Sequence, residues 1–291
     1  MNRIILLAVV VLPASLFGQS AADKKATIQF LTSLQQSDGG FVAAPIDPRL
    51  DQRPVSSLRA TSAAVRAIQY LGGEVPNKDK AAAFVKSCYL PDSGAFADTP
   101  GGKGDVPLTA IGMMATAAIE KEPDFEKSVK YLAANAKTFE ERRLAVAGME
   151  AAKKFDPSIR EWFAEIAKER QSSGGYGINA REIGGFVAMI LRSGDALSAN
   201  DRRSVLSALL AGQLPDGGFG KADAKSSDGE TTYRVMRAFH LLKEKPKNIE
   251  SLRGFLASCR NRDGGYGVAP GQPSTVSGTY YASVISRWLA E

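Results

Sequence analysis

The chain has 291 residues, of which 44% are hydrophobic and 23% charged, and this composition excludes a disordered or collagen-like protein. Its formal net charge of +6 arises from 37 basic and 31 acidic residues that are interspersed, without a long basic run. Nucleic-acid binding requires a basic patch or stripe, so we expect no nucleic-acid partner.

The first residues have the layout of a secretory signal peptide. Asn2 and Arg3 form a short positive start, residues 4–12 are apolar, and Pro13 ends the run. An apolar core of this length is too short to span a bilayer. We predict a cleaved signal over residues 1–22, an exported (periplasmic or extracellular) mature chain, and no membrane span after cleavage. An uncleaved anchor or a buried first helix is the alternative.

Apolar residues recur with a helical period in twelve segments, while the alternation typical of strands is nearly absent. Prolines and glycines fall between the segments, where helices should end. In chain order the predicted helices cover residues 24–35, 57–71, 78–89, 106–120, 124–135, 140–153, 158–170, 181–193, 199–212, 229–243, 247–259 and 277–290.

A glycine turn closed by an aromatic residue recurs between these helices. It reads Asp-Gly-Gly-Phe or a close variant and ends at Phe41, Phe96, Tyr176, Phe219 and Tyr266. The 225 residues between the first and last aromatic residues are five steps of 45, so six units fit the chain. One unit, residues 124–153, keeps its helices but lacks the turn. In three units a threonine follows the aromatic residue by 13 positions and opens a helix.

Six helical hairpins of this length can close into a ring. The helix after each turn is rich in Ala, Gly, Thr and Met, which suits an inner ring, and the helix before it carries more charge, which suits an outer ring. Closure removes the apolar ends that an open solenoid must cap. The predicted fold class is therefore all-α, a single α/α toroid of about twelve helices over residues 23–291.

The two cysteines stand in matching phrases, Phe84–Cys88 and Phe255–Cys259. Leu34 takes the equivalent place in a third copy, so the position is a small apolar packing site. We predict two free, buried thiols.

The Gln-Leu-Pro-Asp-Gly-Gly-Phe phrase at 213–219, with its helix opening at Thr232, resembles the repeat of protein prenyltransferase β subunits. It is also similar to the Gln-and-aromatic repeat of squalene and hopene cyclases, and residues 35–41 match it as well. The resemblance covers residues 24–291. It implies the toroid fold and leaves the activity open.

Protein prenyltransferases of this family bind zinc through an Asp, a Cys two residues later and a His in the last repeat. The resemblance places these ligands at Asp228, Glu230 and Gly278, so only the Asp is retained. A catalytic zinc uses three protein ligands, and we therefore expect no zinc and no other cofactor. Asp228 and Glu230 remain weak candidates for a harder ion. The only histidine, His240, is predicted to be a packing or surface residue.

A structural role for the two acidic residues competes with a chemical one. Ser227 and Glu230 have the spacing of a helix capping box, with Ser227 as the N-cap. Asp228 in the first turn favours the helix dipole, and Asp105 fits the same role in a unit where no ligand is implied. The sequence favours capping.

Three functions remain open. The first is an exported toroid without zinc-dependent prenylation that binds a lipid, an isoprenoid or another ligand in the ring cavity. The second is an active transferase, similar to geranylgeranyl transferase β subunits, or a lyase, using Asp228, Glu230, Tyr233 and Tyr280. The third is a non-catalytic module that docks a protein partner. Cyclase chemistry of the squalene type is disfavoured, because it implies an Asp-x-Asp-Asp cluster and no two aspartates are adjacent here.

Overall fold

The computed structural model describes residues 19–46, 49, 55–120, 123–172 and 179–291. Most of the predicted signal, residues 1–18, and the predicted glycine turn at residues 173–176 lie outside the described residues. The described part of the chain forms twelve α-helices and three short β-strands.

The twelve predicted helices are all present, with ends that differ from the predicted ones by three residues or fewer. Their bounds are α1 Ala21–Ser33, α2 Leu58–Tyr70, α3 Lys78–Ser87, α4 Val106–Ile119, α5 Glu126–Asn135, α6 Phe139–Ala151, α7 Ile159–Ser172, α8 Ala180–Arg192, α9 Ala199–Ala211, α10 Gly229–Leu242, α11 Ile249–Ser258 and α12 Val276–Trp288.

The even-numbered helices form a closed inner ring. Each packs against the next, from α2 to α12, and α12 packs back against α2. The odd-numbered helices lie outside and bury few residues: α9 buries two, whereas α12 buries nine. Hydrogen bonds join equal heights of α2 and α4, from Ser62 to Ile111 near the start and from Gln69 to Ala118 near the end, and the hydroxyls of Tyr233 and Tyr280 meet at equal heights of α10 and α12. The inner helices therefore run parallel and start at one end of the ring, and the predicted α/α toroid is confirmed.

The described glycine turns pack against the next outer helix. Gly217 has a φ of +90°, which L side chains rarely adopt, and a Cβ there would lie 2.1 Å from the carbonyl carbon of Ser251 in α11. Gly264 makes the equivalent contact with Ala26 in α1. The last turn thus packs on the first helix and closes the outer ring as well.

The 13-residue spacing between aromatic residue and threonine has a hydrogen bond as its cause. The threonine hydroxyl accepts the backbone N–H of the aromatic residue, at 3.1 Å from Phe96 to Thr109, 3.0 Å from Phe219 to Thr232 and 3.0 Å from Tyr266 to Thr279. These aromatic side chains are buried. The turn is therefore fixed to the start of the inner helix that follows it.

The strands are confined to one of these turns. β1 (Tyr89–Leu90) pairs antiparallel with β2 (Ala95–Ala97), and β2 with β3 (Gly104–Asp105). The sequence did not predict them, because two or three residues are too few to show a strand period.

Both cysteines are buried and free, as predicted. Burial raises the pKa of Cys88 and of Cys259 to about 11. Within the described ranges no helix is long and apolar enough to cross a bilayer.

Candidate functional site

A cavity of about 240 Å³ lies inside the inner ring, and all six inner helices contribute to its lining. It opens at the end where the helices start. The side chain of Arg59, in the first turn of α2, is 50% exposed there. The side chain of Arg192, in the last turn of α8, is only 10% exposed. The exposure of the lining side chains therefore decreases with depth in the cavity.

The cavity has two unlike walls. On the side of α10, α12 and α2, the lining is basic and aromatic, with Arg66, Arg237, Tyr233, Tyr280 and Tyr281. On the side of α4, α6 and α8, most of the lining is apolar, and it includes Ile111, Met114, Leu144, Ala188 and Met189. A ligand in this cavity would meet charge on one side and hydrocarbon on the other.

The basic wall is built around two tyrosine hydroxyls. Tyr233 and Tyr280 lie one ring position apart on α10 and α12, with their hydroxyl oxygens 3.2 Å apart. Arg237 donates a hydrogen bond to the Tyr233 oxygen at 2.9 Å, and Arg66 donates one to the Tyr280 oxygen at 2.6 Å. We call Tyr233 and Tyr280, with these two arginines, the tyrosine–arginine chain.

The charges around the tyrosine–arginine chain act unequally on its two phenols. Burial raises the pKa of Tyr233, but the charges of Arg237, Arg66 and Arg192 outweigh burial and bring that pKa well below its usual value. Burial dominates at Tyr280 and raises its pKa. The two phenols titrate as one system that loses its first proton readily and its second only with difficulty.

Arg66 and Arg237 have no carboxylate partner among the described residues. Their polar contacts are with tyrosine hydroxyls, and the Nε of Arg237 is buried without a hydrogen bond within the described structure. Arg192 differs, because its Nε lies 3.3 Å from a carboxylate oxygen of Glu150. Buried cations cost free energy unless an anion offsets them. The basic wall is therefore positive and unneutralised by side-chain carboxylates.

The arginines nearer the mouth are paired. Glu140 accepts hydrogen bonds from both terminal nitrogens of Arg234, at 2.8 and 2.9 Å, and two from Arg143, at 3.2 and 3.0 Å. Burial raises the pKa of Glu140, but the hydrogen bond from Arg234 and the charges of both arginines lower it overall to about 2. This carboxylate is fixed by two cations and is not a free acid or base.

The predicted capping box at the start of α10 is wrong in detail. Asp228, not Ser227, is the N-cap, and its carboxylate accepts the N–H of Thr231 at 2.8 Å. Ser227 is drawn away because its hydroxyl donates to Asp216 in the glycine turn at 2.5 Å. Asp105 caps α4 in the same way as Asp228 caps α10.

Glu230 does not reach back to cap the helix either. Its carboxylate lies 3.1 Å from Arg181 and 2.9 Å from Arg234, at the mouth of the cavity. Of the four candidate site residues, Glu230, Tyr233 and Tyr280 line the cavity, and Asp228 does not.

These positions do not fit the zinc site that the resemblance implies. Asp228 is engaged as a helix cap, and Glu230 is held by two arginines. At Gly278, where the family has its histidine, a Cβ would lie 2.5 Å from the backbone oxygen of Tyr266. In the ranges that the structure describes, no three His, Cys, Asp or Glu side chains are grouped so that they could hold a metal ion.

His240 lies outside the cavity. Its ring stacks on Trp288 with 5.1 Å between centroids, and its Nδ1 lies 3.4 Å from a carboxylate oxygen of Glu291. Burial lowers its pKa, against the opposing charge of Glu291. It is a packing residue at the rim, as the sequence predicts.

A larger depression, of about 520 Å³, lies on the outer rim beside Gln19, Arg253 and Leu289. One of its arginines, Arg260, is neutralised by Asp23 at 2.9 Å. Because the described chain begins at Gln19, at its edge, the ring cavity is the better-defined candidate site.

The sequence did not single out the cavity arginines. A signal was present, since a helix that only packs inside a ring should avoid charge. Arg59 and Arg66 are seven residues apart on α2, and Arg237 follows Tyr233 by one turn on α10. Such spacing places each pair on one helix face.

A closed ring of six helical hairpins, locked by glycine-aromatic turns, defines an α/α toroid of the prenyltransferase type. The sequence profile of the prenyltransferase alpha-alpha toroid domain matches residues 2–153 and 144–289, and the chain belongs to this family. The sequence has no match among the curated proteins with which it was compared.

Solved structures of the same fold come from diverse proteins. A variant of the type II terpene cyclase MstE from Scytonema, in complex with the substrate geranylgeranyl dihydroxybenzoate, is 12% identical, with 92% of this chain and 96% of that chain covered and a TM-score of 0.62. A protein from Actinoplanes is 12% identical over 92% and 98% of the two chains (TM-score 0.59). A glycosidase variant is 12% identical over 94% and 98% (TM-score 0.56). At these identities the similarity establishes the fold alone.

Proposed function

We propose that this protein is exported and that its ring cavity binds a compact amphiphilic anion, an isoprenoid-like group joined to a phosphate, diphosphate or carboxylate. The observation that carries this proposal is the pair of cavity arginines, Arg66 and Arg237, that no carboxylate of the described chain neutralises. An anionic ligand would offset their charge.

The head of such a ligand would lie against the basic wall. Arg66 and Arg237 approach from α2 and α10. Guanidinium groups bind phosphate and carboxylate through paired hydrogen bonds, which makes arginine suited to this role. Burial makes each such bond stronger than it would be in water.

The apolar part would lie against Ile111, Met114, Leu144 and Met189. Methionine side chains adapt to irregular hydrocarbon, and the aromatic faces of Tyr280 and Tyr281 extend the surface. The volume of about 240 Å³ is slightly below the roughly 300–1,000 Å³ of typical small-molecule sites. This size favours a short chain, or the head and first units of a longer one.

Export and the site chemistry agree in disfavouring protein prenylation. The N-terminal layout is that of a secretory signal, and isoprenoid diphosphates and the usual partner subunit of protein prenyltransferases are intracellular. The ligand would then be an amphiphilic anion available outside the cytoplasm. The same fold accommodates a geranylgeranyl substrate in the Scytonema cyclase.

The test is equilibrium binding of three probes, geranyl diphosphate, inorganic diphosphate and geraniol, to the mature chain. We expect geranyl diphosphate to bind most tightly, because it engages both walls. A probe present at about 100 times its Kd stabilises the fold by about 2.7 kcal/mol, which a thermal shift detects. Arg66→Gln and Arg237→Gln should each weaken binding at least tenfold, or about 1.4 kcal/mol.

The matched control is Arg203→Gln, since Arg203 is exposed on the outer helix α9 and far from the lining. It should leave binding unchanged. If geranyl diphosphate does not bind at millimolar concentration, or binds equally well to all three variants, the proposed site is wrong.

A second candidate function, a lyase, is favoured by the contact between the two tyrosine hydroxyls. A Tyr233 phenolate could remove a proton from carbon while Tyr280 donates its proton to the leaving oxygen, so that a C–H and a C–O bond break and a C=C bond forms. The proton would then return from Tyr233 to Tyr280 across 3.2 Å. Appearance of an alkene product that depends on Tyr233 would favour this function over binding alone.

A docking module has less support. The large apolar side chains exposed in the described ranges are Ile46, Val55 and Val268, with no extended apolar face among them. Failure of every small probe, together with a stable protein complex, would favour it.

A further inference from the structure

The two tyrosine hydroxyls have more protons than the described structure has acceptors. Arg66 donates to the oxygen of Tyr280 and Arg237 donates to the oxygen of Tyr233. One hydroxyl can donate to the other across 3.2 Å, in either direction. The remaining hydroxyl proton then has no protein acceptor among the described residues.

The groups around the pair favour loss of that proton. The charged and titratable side chains that face it, taken around the ring, are Arg66 and Tyr70 from α2, Arg143 from α6, Arg192 from α8, Arg237 from α10 and Tyr281 from α12. α4 contributes apolar side chains to this part of the lining. The nearest carboxylates, Glu140, Glu150 and Glu230, are each held by arginines.

We propose that the empty cavity holds one phenolate, shared by Tyr233 and Tyr280, and that an anionic ligand binds together with one proton taken up by this pair. The proposal rests on the proposed anion-binding function and deepens it. In the ligand-free protein the phenolate offsets the charge of one of the two arginines without a carboxylate partner, Arg66 and Arg237. An incoming anion takes over that role, and the phenolate becomes a neutral phenol.

The balance of this step is simple. The ligand brings its negative charge, solvent supplies one proton, and the phenolate oxygen of the pair gains an O–H bond, while no other bond forms or breaks. Tyr233 is the principal site of the negative charge because the guanidinium of Arg237 binds its oxygen and the charges of Arg66 and Arg192 also lower its pKa. Affinity should therefore fall about tenfold for each pH unit above the pKa of the pair.

The first experiment reads the ultraviolet difference spectrum of the ligand-free mature chain as the pH is raised. We expect about one tyrosinate per chain near neutral pH in the wild-type protein, and none in Tyr233→Phe. Tyr131→Phe is the matched control: Tyr131 lies on the outer helix α5, outside the cavity lining, and burial raises its pKa. That variant should keep the signal.

The second experiment uses sulfate as the probe, because its charge is constant in this pH range. Calorimetry in two buffers of different ionisation heat should give uptake of about one proton per sulfate bound by the wild-type chain and by Tyr131→Phe. Tyr233→Phe should bind sulfate without proton uptake and without the tenfold loss per pH unit. Sodium chloride at equal ionic strength controls for screening, and circular dichroism for folding.

The absence of a Tyr233-dependent tyrosinate signal in the free protein would overturn the inference. Sulfate that binds without proton uptake would overturn the coupling and leave the proposed binding function intact. Failure of both sulfate and geranyl diphosphate to bind would refute the proposed function. That result remains distinguishable, because the tyrosinate spectrum is recorded before any anion is added.

Discussion

The hydrogen bond between Thr232 and Phe219 offers a direct test of what holds each hairpin in the ring. Thr232 is fully buried, and its hydroxyl accepts the N–H of Phe219 at 3.0 Å. We expect Thr232→Val, which keeps the shape and helix propensity nearly constant, to destabilise the fold. The Thr232 hydroxyl also donates a hydrogen bond to the carbonyl oxygen of Phe219 at 3.2 Å, but this oxygen keeps a second hydrogen bond, from the N–H of Asp228 at 3.1 Å. The substitution therefore leaves the buried N–H of Phe219 without a hydrogen-bond acceptor.

Leaving a buried donor unsatisfied costs about 1–3 kcal/mol. For a chain of this size, about 2 kcal/mol corresponds to a shift of roughly 4–8 °C in Tm. The assay is thermal and urea unfolding followed by circular dichroism, with Thr116→Val as the control. Thr116 lies on α4, is only partly buried, and its hydroxyl has no hydrogen bond within the described structure. A shift in Tm for Thr232→Val no larger than that of the control would refute this account of the 13-residue spacing.

Three further predictions follow from the same structure. Because the pKa of Glu140 is lowered to about 2, its stabilising contribution should be complete above about pH 4.5 and lost as the pH falls toward 2. In Glu140→Gln the urea-unfolding midpoint should therefore change less with pH over that interval than in the wild-type protein. An equal change in both proteins would contradict the ion-pair network. Burial raises the pKa of Cys88 and Cys259 to about 11, so a thiol reagent should label neither in the native protein and both after denaturation. The mature chain should begin between Gln19 and Lys24, and an exported protein whose mass still includes residues 1–12 would argue against signal cleavage.

Much of the ring could be predicted from sequence because its determinants are local. A glycine with positive φ, an aromatic residue after it and a threonine 13 positions later each act within one unit, so the period exposes them. The N-cap of α10 was assigned to Ser227 because the competing acceptor, Asp216, lies in the turn eleven residues earlier. Nothing in the local pattern of α10 shows that acceptor.

The tyrosine–arginine chain was harder to foresee for a related reason. Its members come from α2, α10 and α12, and Arg66 meets Tyr280 only because the last inner helix packs on the first. Tyr233 and Tyr280 could be named as candidates from their place after the helix-opening threonines. Their arginine partners depend on ring closure, which no single repeat encodes.

The contact of Gly264 with Ala26 has a topological consequence. Gln19 and Ala290 border the same two depressions, so the described ends of the chain meet at a joint built like the others. Gly39, Gly94 and Gly217 make the same kind of contact with the next outer helix, so this joint is one of four described joints of one kind. A circular permutant that links these ends through a short flexible peptide and starts instead before α3 would be expected to fold to the same ring, with its cavity intact.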